Sequence, residues 1–300
     1  MKNKLIVRIA EGLGNQLFMY AHAYCLSKKI NYDLYIDNTS GYFKKKNQVR
    51  SYELDKFNID HNLTDKKYKF DTFFSNLNRN LLKKIDLFRK NKSFLIEQRD
   101  KNKISNYINT SKADFYDLLY VEGHYESEKY FKDFANDLKV KFTVKENYIK
   151  KNNKFIELIK NNNSVSICIR QHRYSEGSKK NEAKSAEFTK NTINYINKAV
   201  SFFKNKISNA KFFIWSNDFT DLNNYFNENE FTFIKNDNNK SINDFNLFKY
   251  SKHFIVGPTP FHWWGAWLNT NQDKICVRPP DFLNSSNNID FWPNSWKKIG

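Results

Sequence analysis

Four groups of residues in this 300-residue chain combine types and positions suited to chemistry on a phosphorylated ligand. Arg170 can grip a phosphate through two parallel charge-assisted hydrogen bonds, a geometry lysine does not offer. Ser216 and Asp218 put a hydroxyl and a carboxylate within three residues. The run Gly257-Pro258-Thr259-Pro260-Phe261 supplies a turn that ends in an aromatic ring. The fourth group is Glu11-Gly12-Leu13-Gly14-Asn15, where glycines let the backbone turn tightly and approach a ligand, and Asn15 can cap a following helix. Such a turn sets free N–H groups and the positive end of a helix dipole beside an anion. Its spacing is neither Gly-x-Gly-x-x-Gly nor that of a P-loop, so a purely structural turn fits the segment equally well.

These groups need elements to position them. Residues 5–10 are too few for a helix and rich in Ile and Val, which favours a buried strand. The helix that follows sets Leu17, Ala21, Tyr24 and Cys25 on one face, and a strand returns at 32–37, completing a βαβ unit. Residues 44–115 are rich in Lys, Asn and Phe, with helical spacing at Leu77, Leu81, Leu82, Ile85 and Phe88; these are expected to pack in the core. A strand is expected at 118–121, then a helix capped by Ser127 and carrying Tyr130, Phe131, Phe134 and Leu138. The charged, Asn-rich stretch 147–163 marks a domain junction, giving expected domains at 1–150 and 151–300.

The second half alternates. Strands at 165–169, 212–215, 231–234, 254–256 and 275–277 are separated by helices near 187–204, 219–227, 242–250 and 262–269. That order signals an α/β fold with a parallel, doubly wound sheet. Ligands in such sheets bind beyond the carboxyl ends of the strands, where Arg170, Ser216, Asp218 and the 257–261 loop all fall.

Composition sets the bounds. A hydrophobic content of 40% allows a sizeable core, and only 8 Gly and 5 Pro argue against long disordered linkers. The formal charge of +18 is spread as Lys among Asn, and no nucleic-acid-binding signature accompanies it, so nucleic acid is not an expected partner. The charge suits anionic sugar nucleotides, lipid-linked acceptors or the surface of an anionic membrane. Cys25, Cys168 and Cys276 are odd in number and set in apolar contexts, as free thiols in a reducing compartment would be. The apolar runs are too short to span a bilayer and no secretory leader is apparent, so a cytoplasmic protein, peripheral at most to the inner face of the membrane, is expected.

Six segments extend the reading. GLGNQLFMYA from Gly12, YVEGHYESEKYF from Tyr120, SVSICIRQHRY from Ser164, FFIWSND from Phe212, HFIVGPTPFHWWGAWLN from His253 and DFWPNSWKKI from Asp290 occur in this order. Together they resemble the bacterial α-1,2-fucosyltransferases of glycosyltransferase family 11, many of which serve lipopolysaccharide biosynthesis. The resemblance implies a GT-B architecture of two Rossmann-like domains facing a cleft, the N-terminal one on the acceptor side and the C-terminal one binding the nucleotide sugar. It also implies an inverting enzyme that moves L-fucose from GDP-fucose to the 2-hydroxyl of a galactose-terminated surface glycan. Where the family usually has His-Val-Arg-Arg-Gly-Asp-Tyr, this chain has Cys168 to Tyr174, and only Arg170 and Tyr174 match.

Stabilising a departing diphosphate needs a cation. The chain contains no Asp-x-Asp and no His cluster at ligand spacing, so no metal or other cofactor is expected. Arg170 is then the first candidate, with Arg173 as a second donor from a shifted position. By resemblance Asn15, beside Gly14, lies near the β-phosphate and the glycosidic oxygen. By the same resemblance Asp218, with Ser216, meets ribose or guanine, and Thr259 and Phe261 line the nucleotide. Arg173 occupies the family's Asp position and cannot accept a proton. Glu176 is the candidate base on the analogy of related core fucosyltransferases, with Glu11 and His172 as competitors. Trp263, Trp264 and Trp267 read as a buried helix, and His22, His61, His124 and His253 as structural. Two alternatives stay open: the same fold with a different donor or linkage, or a basic binding protein with no turnover.

Overall fold

The computed structural model describes residues 3–43, 50–111, 113–149, 154–175, 180–235, 241–283, 286 and 288–300. The chain divides into two compact units, Met1–Thr143 with Asn287–Trp292, and Val144–Ser286 with Pro293–Gly300. The break falls before the charged stretch at 147–163, and the return of a short C-terminal segment to the first unit carries no signal in the sequence.

The first unit is built on a parallel sheet in the order β2-β1-β4-β3, from β1 (Lys4–Arg8), β2 (Asp33–Asp37), β3 (Lys92–Ile96) and β4 (Phe115–Glu122). Leu5, Ile6 and Val7 are fully buried on β1, as expected of a central strand covered on both faces. Helix α1 (Leu13–Ile30) is buried almost throughout from Leu13 to Ser27, on more than the one face expected. It ends at Asn31, whose left-handed φ of 58° lets its neighbour Tyr32 donate to the Ser27 carbonyl at 2.9 Å. The return segment is held by Phe291 against Phe18, with rings 6.0 Å apart, and by Asp290, which accepts from the Tyr107 N–H at 2.8 Å and from Lys129.

Helix α2 (Phe73–Asp86) forms where expected, but its apolar residues do not pack in the core. Leu77, Leu81, Ile85 and the following Phe88 are exposed, and Leu82 is half-buried. The inward side carries Asn76, Arg79, Lys83 and Asp86 instead. Arg79 and Lys83 pair with the buried Glu122 at 3.4 and 3.0 Å, and Asp86 accepts from the N–H groups of Ser93 and Phe94 at 2.9 and 3.0 Å. Buried charges need partners, and these partners fix which side of the helix faces the sheet. The helix expected after Ser127 is also broken. Single turns at Glu128–Tyr130 and Lys132–Phe134 precede α3 (Ala135–Lys141), because Phe131 leaves helical geometry at φ −141° with its ring buried near Phe18.

In the second unit α4 (Phe155–Lys160) leads into β5 (Asn163–Ile169), followed by α5 (Glu182–Lys206), β6 (Ala210–Ser216), β7 (Phe231–Phe233), α6 (Ser241–Phe248) and β8 (His253–Ile255). α7 (Pro260–Leu268), β9 (Cys276–Arg278) and a short β10 (Lys297–Lys298) complete it. The parallel sheet runs β10-β9-β8-β5-β6-β7. Its core joins Val165, Ile167, Phe203, Phe212, Ile214, Ile255 and Val277, while Trp263 and Trp264 are fully buried on α7. The helix expected at 219–227 is a single turn, Leu222–Asn224.

Candidate functional site

Strand order locates a crevice in each sheet. After β5 the chain adds β6 and β7 on one side, then reverses to add β8, β9 and β10 on the other. The reversal leaves a switch point between β5 and β8, the place where open α/β sheets bind ligands. Register puts Ile169 opposite Ser216, so Arg170 and Asn217 leave their strands side by side, while the 257–261 loop leaves β8 next to β5. Three of the four groups that sequence singled out therefore share one end of one sheet.

Two residues that the sequence reading passed over zip the first two loops together. The buried Gln171 donates its backbone N–H to Asn217 Oδ1 at 2.8 Å, and Asn217 Nδ2 donates back to the Gln171 carbonyl at 3.2 Å. Gln171 Nε2 then donates to the carbonyls of Asp218 and Thr220, at 2.7 and 3.0 Å. The position that departs from the family's second Arg thus has a structural task here. Ser216 Oγ is engaged within the same turn: it donates to the Asp218 carbonyl and accepts from the Asp218 N–H at 3.2 Å. Ser216 accordingly shapes the turn that presents Asp218.

The Asp218 carboxyl is held below the usual carboxylate range by the N–H and hydroxyl of Thr220, the N–H at 2.8 Å, and then by His172. His172 Nε2 lies 3.0 Å from Asp218 Oδ2, and its backbone sits in the left-handed region at φ 56°. An ionised Asp218 retains lone pairs for sugar or base donors. The guanidinium of Arg173 lies over the rings of Tyr174 and Phe188, 5.6 and 5.8 Å from their centroids. Arg170 is half-buried immediately after β5. Glu176 lies outside the described residues.

His262 fixes the third loop. It is fully buried, accepts the Gly257 N–H on Nδ1 at 3.0 Å, and so carries its proton on Nε2, which faces Ser166 Oγ of β5 at 3.0 Å. Burial lowers its pKa to about 3, which keeps the ring neutral. Gly257 is pressed so close to β5 that an added Cβ would stand 2.3 Å from the Cys168 carbonyl oxygen. Thr259 occupies the N-cap of α7 in extended backbone but makes no capping bond through its side chain, and Pro260 takes the first turn. The first-turn N–H groups of Phe261 and His262 therefore point toward the loop as potential anion donors. Phe261 rests on Phe245 and Phe248, each ring 5.6 Å away.

The first unit has its own switch point, between β1 and β4, and the glycine loop lies on it. Here the structure corrects two expectations. The tight turn is at Glu11, with φ 63°, whereas Gly12 is extended at φ −81°, ψ 168°. The N-cap is Gly12, which has no side chain to cap with, so Asn15 lies inside the first turn and is not the cap. Gly14 is buried in that turn, Asn15 is half-buried, and the Arg50 side chain lies over Gly12. The fully buried Gln16 braces the loop by donating to the carbonyls of Glu11 and Ser51, at 2.9 and 2.8 Å, and accepting from the Glu53 N–H at 2.9 Å. Gly41 closes over the end of β1, where a Cβ would meet the Ile9 carbonyl at 1.9 Å.

Desolvation pushes the thiols of Cys25, Cys168 and Cys276 up to about 12, which keeps them protonated near neutral pH. Among the described residues no set of three His, Cys, Asp or Glu side chains is placed to hold a metal ion. Among them, too, no helix is long and apolar enough to cross a membrane.

Comparison with known proteins gives one consistent picture. The profile of glycosyl transferase family 11 matches residues 4–299. An alpha-1,2-colitosyltransferase of Escherichia coli is 29% identical, over 98% of this chain and 98% of its own. The O-antigen biosynthesis glycosyltransferase WbnK of Escherichia coli is 27% identical, over 96% and 98% respectively. Among solved structures, a FUT1 variant of Arabidopsis thaliana in complex with GDP superposes with a TM-score of 0.52 at 10% identity, covering 99% of this chain and 76% of that one. POFUT1 in complex with GDP gives 0.50 at 10% identity, covering 91% and 96%. The fold is α/β and GT-B-like.

Proposed function

Because the chain belongs to glycosyltransferase family 11, we propose that it transfers L-fucose from GDP-fucose, with inversion, to the 2-hydroxyl of a terminal galactose in a surface glycan. The observation that carries this reading is the convergence of Arg170, the Asp218 turn and the 257–261 loop on one switch point. In this reading the second unit holds the donor. Asp218 takes hydroxyl or amino donors of guanosine, Phe261 and Thr259 border the nucleotide, and Arg170 with the first-turn N–H groups of α7 receives the diphosphate. As the glycosidic bond breaks, charge builds on the leaving β-phosphate, and a fixed guanidinium stabilises that charge without reorganisation. Arg173 is a further cation in the same loop. A general base, with Glu176 the first candidate, takes the proton of the acceptor hydroxyl as its oxygen attacks the anomeric carbon from the opposite face.

The first unit, with Gly14 and Asn15, is assigned to the acceptor side and to the β-phosphate. Side-chain cations replace a metal in this mechanism, so turnover is expected to survive excess EDTA; loss of activity that Mg²⁺ or Mn²⁺ restores would refute that part. One specific alternative has support: the name of the colitosyltransferase relative points to a colitosyl donor, and the altered segment from Cys168 to Arg173 is where donor selection would change. Purified protein offered GDP-fucose or GDP-colitose with galactose-ended acceptors separates the readings by the ratio of kcat/KM. Product carrying α-1,2-fucose is expected, and transfer from GDP-colitose alone would reassign the donor.

A further inference from the structure

Helix α2 is amphipathic in the reverse sense for a soluble protein. Its polar side is turned to the sheet through Arg79, Lys83 and Asp86, and its apolar side faces solvent. Phe73, Phe74, Leu77, Leu81, Ile85 and the succeeding Phe88 form that outer stripe, with Phe74 79%, Leu81 57% and Phe88 91% exposed. At 100° per residue these six fall within one third of the helix circumference. A Thr72–Ser75 capping box holds the start of the helix, so the stripe is preformed. Soluble monomers rarely leave so continuous an apolar surface uncovered.

Charge decides what covers it. Residues 66–92 contain Lys66, Lys67, Lys69, Arg79, Lys83, Lys84, Arg89, Lys90 and Lys92 against only Asp71 and Asp86. Asp86 is buried and occupied by Ser93 and Phe94. Lys84 is exposed and, at 100° per residue, falls within the arc of the stripe, while Lys66 and Lys67 before the helix and Arg89 and Lys90 after it are also exposed. A second copy of the chain would bring these like charges together, whereas an anionic surface would neutralise them. An apolar stripe that carries one long Lys and is flanked in sequence by exposed Lys and Arg is how a helix lies in the interface of an anionic bilayer, the Lys stem reaching out to the headgroups.

We propose that the outer face of α2 docks this protein on an anionic lipid surface, with Phe74, Leu81 and Phe88 entering the acyl boundary and Lys84, Arg89 and Lys90 meeting headgroups. The proposal rests on no part of the donor or linkage assignment, so either can fail without the other.

The test is sedimentation of the full chain with vesicles of phosphatidylcholine, with or without about 30% phosphatidylglycerol, at about 0.1 M salt. Wild-type protein is expected to partition roughly tenfold or more better onto the anionic vesicles. A Phe74→Ser, Leu81→Gln, Phe88→Ser combination should lose about tenfold or more of that binding. Lys84→Glu, Arg89→Glu and Lys90→Glu together should lose a similar amount, and added salt should then weaken the remainder less. Both variants are expected to keep the wild-type Tm and turnover of soluble acceptor, since the altered side chains stand in solvent. Should the apolar combination fail to fold, Phe88→Ser alone, in the turn after the helix, is expected to cost about threefold in binding. Equal sedimentation with neutral and anionic vesicles would overturn the proposal, as would wild-type binding by the apolar variants. A wild-type dimer that the apolar combination converts to a monomer, with no vesicle binding by either, would assign the face to a second copy and equally overturn it.

Discussion

Gln171→Leu removes the side-chain half of the zip between the two loops that carry Arg170 and Asp218 while keeping the size of the side chain. Gln171 Nε2 serves the carbonyls of Asp218 and Thr220 at 2.7 and 3.0 Å, and leucine serves neither. The Asp218 carbonyl keeps the Ser216 hydroxyl as a donor and Thr220 is exposed, so neither carbonyl is left buried without a partner and the cost is that of the lost hydrogen bonds, about 0.5–1.5 kcal/mol net. We therefore expect a net loss of ~0.5–1.5 kcal/mol in the arrangement of the two loops. Donor binding has to restore that arrangement, and a penalty of this size corresponds to a rise of about 2- to 12-fold in donor KM. The backbone pair between Gln171 and Asn217 survives the substitution, and nothing in contact with the reacting atoms is lost, so kcat should stay within about threefold. Steady-state kinetics with the donor varied at saturating acceptor reads both constants. An unchanged donor KM in a folded variant would show that the zip does not hold the nucleotide site. A collapse of kcat at constant KM would show that Gln171 acts on the chemistry itself.

Arg170→Ala is expected to lower kcat/KM by about a hundredfold or more and Arg170→Lys to lose most turnover, because a bidentate contact to the leaving diphosphate is lost; near-wild-type kinetics in Arg170→Ala would remove it from the site. Glu176→Gln should retain GDP affinity and lose about 10² to 10⁴ in kcat if Glu176 is the base; normal turnover there alongside loss in Glu11→Gln would move the base to the first unit. His22 and His262 are both buried with pKa lowered to about 3 from 6.5, so the unfolded chain binds more protons than the folded one between those values. Stability should therefore fall as pH drops below about 6.5, by ~2 kcal/mol per histidine at pH 5 and by no further amount from these groups below about pH 3. His262→Gln should roughly halve the slope of Tm against pH in that window; an undiminished slope would contradict the assignment.

The central strands were legible because parallel strands covered on both faces need uninterrupted apolar runs, as in Leu5–Val7 and Val165–Ile169. The positions of Arg170, Ser216, Asp218 and Thr259 followed from their place after such strands. Illegible features depend on partners distant in the chain. Gln171 meets Asp218 and Thr220 across 47 and 49 residues, and His262 meets Ser166 across 96. The orientation of α2 was misjudged for the same reason: spacing alone turns Leu77, Leu81 and Ile85 inward, while the ion pairs of Lys83 and Arg79 with Glu122, 39 and 43 residues away, turn them outward. The two-residue β10 pairs with β9 beyond any local signal. Gly41, pressed on the Ile9 carbonyl, carries no mark of that contact in its neighbours.

The most direct test of a nucleotide-sugar site at the β5/β8 switch point is a crystal structure of this protein soaked with GDP. The diphosphate is expected within hydrogen-bond reach of Arg170 and the first-turn N–H groups of α7, with guanosine beside Asp218 and Phe261. GDP bound elsewhere, or a β5/β8 crevice still without nucleotide at saturating GDP, would contradict it.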